Sequence, residues 1–279
     1  MVFRSLALPL AFLAAAPALA QEAQPADTGG DVIVLGAGAA ILPDYEGSDD
    51  STWAPVPAAT GRISGFNFSV IGNRASVDLI PDSVGPGWDF QAGPVGVLNL
   101  NRASVKGIDD ARVKALGKIG TAIELGGYVG IGRVGVITSD YDRLSVSASY
   151  RYDVSGVHKS GVFTPSITYM TPLSRRALVG IFGSAERVES GYADTYFGVT
   201  PEGAVASGLP VFNPRGGWKS WTAGAGGALS LTGDLTGGLQ LFGGGTYRRL
   251  INDFADSPLV RTAGSRHQWM GVLGLAYSF

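Results

Sequence analysis

Apolar and polar residues alternate along most of the chain with a period of two. In residues 144–153, Leu144 and Tyr150 fall on one face, whereas Ser145 and Arg151 fall on the other. This is the period of a β-strand, whose successive side chains point to opposite sides. Strands of about ten residues with one apolar and one polar face are typical of transmembrane barrels. The pattern predicts an all-β fold, a transmembrane antiparallel β-barrel.

The strands can be delimited from the alternation and the turn residues, and about twelve are predicted, an even number as bacterial barrels require. They are residues 31–41, 54–63, 66–72, 75–81, 88–100, 119–133, 142–153, 160–171, 176–188, 219–232, 235–249 and 266–279. If the first strand leaves the periplasm, the outer connections are 42–53, a tight turn near Asn73, 101–118, 154–159, 189–218 and 250–265. The periplasmic connections are then 64–65, 82–87, 134–141, 172–175 and 233–234, so the longest loops all fall on the outer side. A soluble sandwich has no reason to sort its loops in this way.

The last strand ends on two aromatic residues, Tyr277 and Phe279. It resembles the terminal strand of bacterial outer-membrane barrels, which closes the barrel and is recognised by the barrel-assembly machinery. Other aromatic residues are expected in girdles at the two membrane interfaces. These are Trp88, Tyr150, Tyr152, Trp221, Trp269 and again Tyr277.

The first twenty residues read as a secretory signal peptide. Arg4 precedes an apolar run, and Ala18-Leu19-Ala20 is a cleavage pattern. A transmembrane helix is disfavoured because the run is short and contains prolines. The predicted domains are therefore a signal peptide at 1–20, a flexible periplasmic tail at 21–30 and an outer-membrane barrel at 31–279.

Composition narrows the possible functions. The formal net charge of −2 is not the excess of basic residues that nucleic-acid binding requires. The absence of cysteine excludes thiol catalysis and cysteine-based metal sites. The 42 glycines lack the period of collagen and suit closely packed barrel strands. Gly36-x-Gly38 invites a dinucleotide-binding interpretation, but Pro43 stands where a helix should continue. No cofactor is expected.

Two candidate polar sites remain open. The acidic group Asp44, Glu46, Asp49 and Asp50 either binds a divalent cation or forms a solvated turn with Gly47 in a left-handed conformation; the missing ligand spacing favours the turn. The two histidines, His158 and His267, have no evident serine and carboxylate beside them, so no catalytic residue is assigned.

Four polar residues are expected to point into the lumen, where they would line a water-filled path or pair into a plug. These are Glu124, Arg151, Asp153 and Gln240. Twelve strands lie between filled eight-stranded barrels and open sixteen-stranded porins, so strand number alone does not decide between a pore and a closed interior.

Three loop blocks resemble the signatures of the MipA/OmpV family of outer-membrane proteins. They begin at Pro43, Tyr192 and Tyr247 and extend over the following loops. The residues that carry the resemblance are Asp44, Tyr45, Glu46, Gly47, Asp49, Tyr196, Phe197, Gly198, Gly208, Leu209, Pro210, Asp256, Ser257 and Pro258. Their order and spacing cover essentially the whole chain after the signal peptide.

The resemblance implies a non-catalytic scaffold that ties a lytic murein transglycosylase to a penicillin-binding protein. Outer-membrane lipid and lipopolysaccharide are also expected as partners of the barrel. The alternative is a narrow channel for small solutes, or a surface protein acting in adhesion or stress response through its outer loops. Conductance of the refolded protein would separate a channel from a scaffold.

Overall fold

The computed structural model describes residues 31–81 and 86–279, and these form one closed antiparallel barrel of twelve strands. The strands are β1 (Val32–Pro43), β2 (Ser51–Ile63), β3 (Phe66–Ile71), β4 (Arg74–Asp78), β5 (Gly87–Asn99), β6 (Ala122–Val134), β7 (Arg143–Asp153), β8 (Gly161–Ser174), β9 (Ala177–Val188), β10 (Gly217–Ser230), β11 (Gly238–Leu250) and β12 (His267–Ser278). Each strand pairs with its neighbours in sequence, and β12 pairs with β1 to close the sheet. The predicted fold is confirmed, and closure leaves no continuous open edge.

The alternation of the sequence becomes an apolar outside and a polar inside. On β7, Val146, Tyr150 and Tyr152 are exposed, whereas Ser149 and Arg151 are buried. All six aromatic residues predicted for the girdles are exposed on the outer surface. An apolar outer belt fits hydrocarbon, which is the solvent that this pattern requires.

The two ends of the barrel differ. The end that carries Asp31 and Phe279, called the turn end below, has short connections such as Ser64–Gly65 and Arg175–Arg176. The opposite end, the loop end, carries 44–50, 100–121, 189–216 and 251–266. The predicted sorting of loop lengths is therefore present in the structure.

The sequence pattern assigns no strand to the long loops, and the described residues contain five short helices in them. These are α1 (Ala111–Ala115), α2 (Ser190–Phe197), α3 (Pro201–Ser207), α4 (Asn252–Asp256) and α5 (Pro258–Arg261). Together the loops fold into a compact layer over the loop end, which we call the cap. Its apolar interior has two clusters, one around Tyr196, Phe197 and Phe254 and one around Tyr45 and Leu209.

The β3–β4 hairpin is much shorter than its neighbours. Its tip is fixed on both sides: the Gly72 amide donates to Pro57 O at 2.8 Å, and Leu98 donates to Asn73 O at 2.8 Å. Beyond Pro57, β2 continues for the six residues Ser51–Val56, which pair with β1 alone among the described strands. The barrel wall therefore has a notch at the loop end, between β2 and β5.

Several boundaries differ from the predictions. β2 begins at Ser51 rather than at residue 54, β6 begins at Ala122 rather than at residue 119, and β11 begins at Gly238 rather than at residue 235. β4 ends at Asp78 rather than at residue 81. In the part of the chain that the structure covers, no helix has the length and apolar character needed to span a membrane. The predicted signal peptide and tail lie outside the described residues.

Candidate functional site

A lysine from a bulged strand lies at the centre of the polar interior. The ammonium of Lys219 contacts Glu186 Oε1 at 2.5 Å and Glu46 Oε1 at 2.7 Å, and donates to the Tyr192 hydroxyl at 3.0 Å. Its side chain is only 2% exposed. These three contacts match the three N–H donors of an ammonium, so the buried charge is fully satisfied.

The bulge explains how Lys219 comes to face inward. The register of β10 against β9 shifts between Trp218 and Ser220, with Lys219 as the extra residue. As a result Lys219 and Ser220 are both buried, while Trp218 and Trp221 are both exposed. A β-bulge can re-aim a side chain in this way, at the expense of one unpaired ladder position.

The contacts of Lys219 continue into a network across the lumen. Glu186 on β9 also lies 3.6 Å from Arg151 on β7, and Arg151 Nε donates to Glu124 Oε2 at 2.5 Å. At the other side, Arg248 on β11 lies 3.3 Å from Glu46. Three carboxylates (Glu46, Glu124 and Glu186) thus face three cations (Arg151, Lys219 and Arg248). We call these six residues the lumen network; its formal charge is zero.

Glu46 joins the lumen network to the cap. The 44–50 loop carries it, its amide donates to Asn101 Oδ1 at 3.0 Å, and its carboxylate accepts from the Tyr192 hydroxyl at 2.9 Å. The prediction of a solvated acidic turn is therefore wrong for Glu46. The reason is that its cationic partners lie far along the chain: Arg248 is 202 residues away.

The remainder of the acidic turn is closer to the prediction. Asp49 and Asp50 are exposed, and Gly47 has a φ of 104°, in the left-handed region. Ligand atoms of Asp44, Asp50 and Asp109 lie within 4.8 Å of one another, so the third carboxylate comes from a loop that the sequence did not connect with this turn. Loss of hydration and the charge of Asp49 raise the pKa of Asp50.

The four lumen candidates divide into two kinds. Glu124 and Arg151 are buried members of the lumen network. Asp153 instead accepts the amides of Ser155 and His158 and so fixes the turn after β7. Gln240 is buried near the turn end and donates to Leu235 O at 3.0 Å.

A serine and a carboxylate do lie beside His158, against the expectation from sequence. Its Nδ1 is 2.8 Å from Ser160 Oγ, and its Nε2 is 3.3 Å from Glu124 Oε1. The side chains of His158 and Glu124 have no exposed surface, and Ser160 is 3% exposed. The described residues therefore enclose this group almost completely. The sequence missed it because Glu124 lies 34 residues away on another strand.

The family-motif residues assemble the cap. The Tyr45 hydroxyl donates to the carbonyls of Leu259 and Ala263, and Ser257 Oγ donates to Phe197 O at 2.7 Å. Burial, followed by the charges of Asp110 and Asp44, raises the pKa of Tyr45, so it remains a donor. Tyr196, Phe197, Leu209, Ser257 and Pro258 are buried in the cap, and Gly198 and Gly208 end α2 and α3. Asp256 and Pro210 are exposed.

Comparison with known families settles what these blocks represent. The sequence model of the family described as MltA-interacting protein MipA matches residues 35–279. The chain belongs to the MipA family. The resemblance seen in the loop blocks is thus confirmed, and membership together with the barrel fold supports a location in the outer membrane. No curated protein is significantly similar in sequence.

Solved structures with a similar fold are outer-membrane barrels of low sequence identity. The COG4313 outer membrane channel from Pseudomonas putida F1 is 11% identical, with 93% of this chain and 98% of that chain covered and a TM-score of 0.40. The outer membrane channel DcaP of Acinetobacter baumannii is 9% identical, with coverage of 90% and 96% and a TM-score of 0.39. The translocator domain of the autotransporter NalP from Neisseria meningitidis is 13% identical, with coverage of 88% and 87% and a TM-score of 0.35.

Lys219, Glu186 and Arg248 were not singled out from the sequence of this MipA-family chain. A signal for Lys219 was present, since Trp218 and Trp221 are three positions apart in one strand and cannot share a face without a bulge. Glu186 and Arg248 gave no such signal, because a single charged residue on the polar face of a strand is ordinary.

Proposed function

We propose that this MipA-family protein is a non-catalytic scaffold of the outer membrane. It binds a lytic transglycosylase of the kind named in the family description, and through it a penicillin-binding protein, during peptidoglycan growth. The observation that carries the proposal is the occupied interior. The lumen network spans the barrel from β6 to β11 and is joined to the folded cap. Because the lumen is filled in this way, we expect the protein to act through contacts of its outer surface with partners.

The turn end offers a preorganised surface for such a partner. In the turn between β6 and β7, the Asp142 carboxylate accepts the amides of Val136, Ile137 and Thr138 at 2.6–2.8 Å. Burial raises the pKa of this carboxyl, but the hydrogen bonds from Thr138 and Val136 outweigh burial and hold the pKa below its usual range. A charged Asp142 therefore fixes the turn at neutral pH.

The fixed turn displays apolar side chains. Ile137 is 69% exposed and Tyr141 is 66% exposed, and Leu173 at the turn end of β8 is also exposed. Exposed aromatic and aliphatic groups on a rigid turn are suited to be anchors in a protein interface. In our proposal this end faces the periplasm, where the murein enzymes work.

Cross-linking in cells followed by affinity purification tests the scaffold. The wild type is expected to retain a lytic transglycosylase, and the double variant Ile137→Ser/Tyr141→Ser is expected to lose it. Val205→Ser, which changes a 90% exposed residue of α3 at the loop end, is the matched control and should retain the partner. Equal recovery from all three proteins would contradict docking at this turn.

Planar-bilayer conductance tests the general proposal independently of the docking surface. With the cap in place, we expect no steady conductance from the refolded wild type. Steady, solute-selective conductance would favour the channel alternative and overturn the scaffold.

A further inference from the structure

Within residues 31–81 and 86–279, the lumen contains a buried cation outside the paired network. Arg74 is the first residue of β4, points inward and is 7% exposed. It interacts electrostatically with Arg151, Glu186 and Glu124, so it lies beside the lumen network. Its guanidinium makes no hydrogen bond or ion pair with any residue in the ranges 31–81 and 86–279.

This unpaired state is unusual for a guanidinium. A buried charge is costly unless it is paired and hydrogen-bonded. The carboxylates nearby are already matched by Arg151, Lys219 and Arg248, so Arg74 adds a positive charge to a neutral group. None of its nitrogens is among the fully enclosed unpaired atoms of the described chain. The guanidinium therefore borders space that a small polar group can reach.

The notch above the β3–β4 hairpin lies directly beside this residue. Arg74 follows the hairpin tip at Gly72–Asn73 and pairs in register with Ile71 and Val97. Above the tip, β2 and β5 face each other across three strand spacings, roughly 14 Å. The contact of Glu46 with Asn101 crosses above this gap, at 3.0 Å. The notch is thus a window in the barrel wall, with the hairpin tip as its lower edge.

The edge of the window is built to remain unpaired. Pro55 lies on the free stretch of β2 and Pro57 lies directly below that stretch, and a proline has no amide to offer to an incoming strand. The side chains of Ala54 and Val56 point to the lumen side and are small. The window is therefore bordered by apolar groups of low bulk.

The depth of the window matches a lipid interface. Trp53, 72% exposed, lies on the same free stretch of β2 and belongs to the aromatic girdle of the loop end with Trp221 and Trp269. Aromatic girdles mark the level of lipid headgroups. A headgroup at this level would face the window, with its acyl chain in the bilayer.

We propose that Arg74 is the binding residue for an anionic amphiphile, whose carboxylate or phosphate headgroup enters the lumen sideways through the window between β2 and β5. The headgroup pairs with the free guanidinium, as carboxylates and phosphates commonly do with arginine. The acyl chain remains against Ala54, Val56 and the bilayer.

The test uses the full-length mature protein in phosphatidylcholine nanodiscs, with the fluorescent fatty acid cis-parinaric acid as the probe. The wild type should bind the probe saturably, and oleate should displace it at least about tenfold better than methyl oleate, which lacks the charge. Arg74→Gln should weaken binding about tenfold or more, whereas Arg74→Lys should retain most of it. Because the guanidinium of Arg74 makes no hydrogen bond within the described residues, both variants are expected to fold, which heat-modifiable gel mobility checks.

A second pair of variants tests the lateral route. Val56→Phe narrows the window and should weaken probe binding, while Ala223→Phe, on the exposed face of β10, should leave it unchanged. Wild-type affinity in Arg74→Gln, or equal displacement by oleate and methyl oleate, would overturn the proposal. If inorganic phosphate displaces the probe as well as oleate and Val56→Phe has no effect, Arg74 binds free anions and the lateral amphiphile is excluded.

Discussion

Replacing Lys219 by methionine should release the cap. Without the ammonium, Glu46 and Glu186 lose the cation that lies within 2.7 Å of both. Each keeps only a longer ion pair, 3.3 Å from Glu46 to Arg248 and 3.6 Å from Glu186 to Arg151. Breaking a buried ion pair by removing one partner costs about 3–5 kcal/mol, and the 2% exposure of Lys219 leaves little water to screen the loss. Glu186 is fixed on a strand, so the repulsion is relieved by moving the 44–50 loop outward.

The expected size of this effect can be measured as cap opening. Each 1.4 kcal/mol changes an equilibrium constant tenfold, so the open population should rise between about a hundredfold and several thousandfold. The chain has no cysteine. A single Val199→Cys, at a position that is 1% exposed in the cap interior, therefore reports opening through its rate of maleimide labelling.

The control and the refuting result are measured with the same Val199→Cys labelling assay. Lys106→Met removes an exposed lysine of the cap and should leave the labelling rate unchanged. Adding Glu46→Gln to Lys219→Met should slow labelling again, because it removes one of the two opposed charges. If Lys219→Met labels within about threefold of its parent, less than about 0.7 kcal/mol, the lumen network does not hold the cap.

Three further predictions concern other parts of the barrel. Asp142→Asn should speed hydrogen exchange of the amides of the turn after β6 at neutral pH. Because the pKa of Asp142 is depressed in the folded protein, the wild-type turn should be fully protected above about pH 4, the pKa of an unfolded aspartate, and should lose protection as the pH falls below it through the folded pKa. Gly47→Ala should destabilise the cap by about 1–3 kcal/mol in the labelling assay, since φ is 104° and a Cβ would lie 2.5 Å from Val260, whereas Gly107→Ala has open space and should be neutral. Phe279→Ala should lower the amount of assembled barrel in the outer membrane, measured by heat-modifiable mobility, while refolding in detergent is little changed.

The barrel could be predicted from the sequence because the environment of each strand shows in the order of its own residues. A strand in a membrane barrel shows lipid on one face and the interior on the other, so residues 144–153 carry the whole argument in ten positions. The resemblance of the last strand and of the loop blocks added the family. Neither required knowledge of which residues meet across the lumen.

The cap and the lumen network could not be predicted from the sequence, for two physical reasons. The cap helices are four to eight residues long, too short to show a helical period, and they form because their apolar residues bury against other loops. The network depends on pairings between distant strands, and its central lysine sits on a bulge that breaks the alternation. The occupied interior is thus a property of the closed barrel.

The cap and the window are separate routes into the same lumen, and their chemistry differs. Glu46 links the cap to Lys219 on β10 and Arg248 on β11. The window opens on the opposite side of the 44–50 loop, between β2 and β5. Opening the cap in Lys219→Met should therefore create conductance without abolishing amphiphile binding at Arg74. Arg74→Gln should weaken that binding without creating conductance. If either variant both conducts and fails to bind the amphiphile, cap and window form one cooperative unit, because a single change has then disrupted the contacts of both.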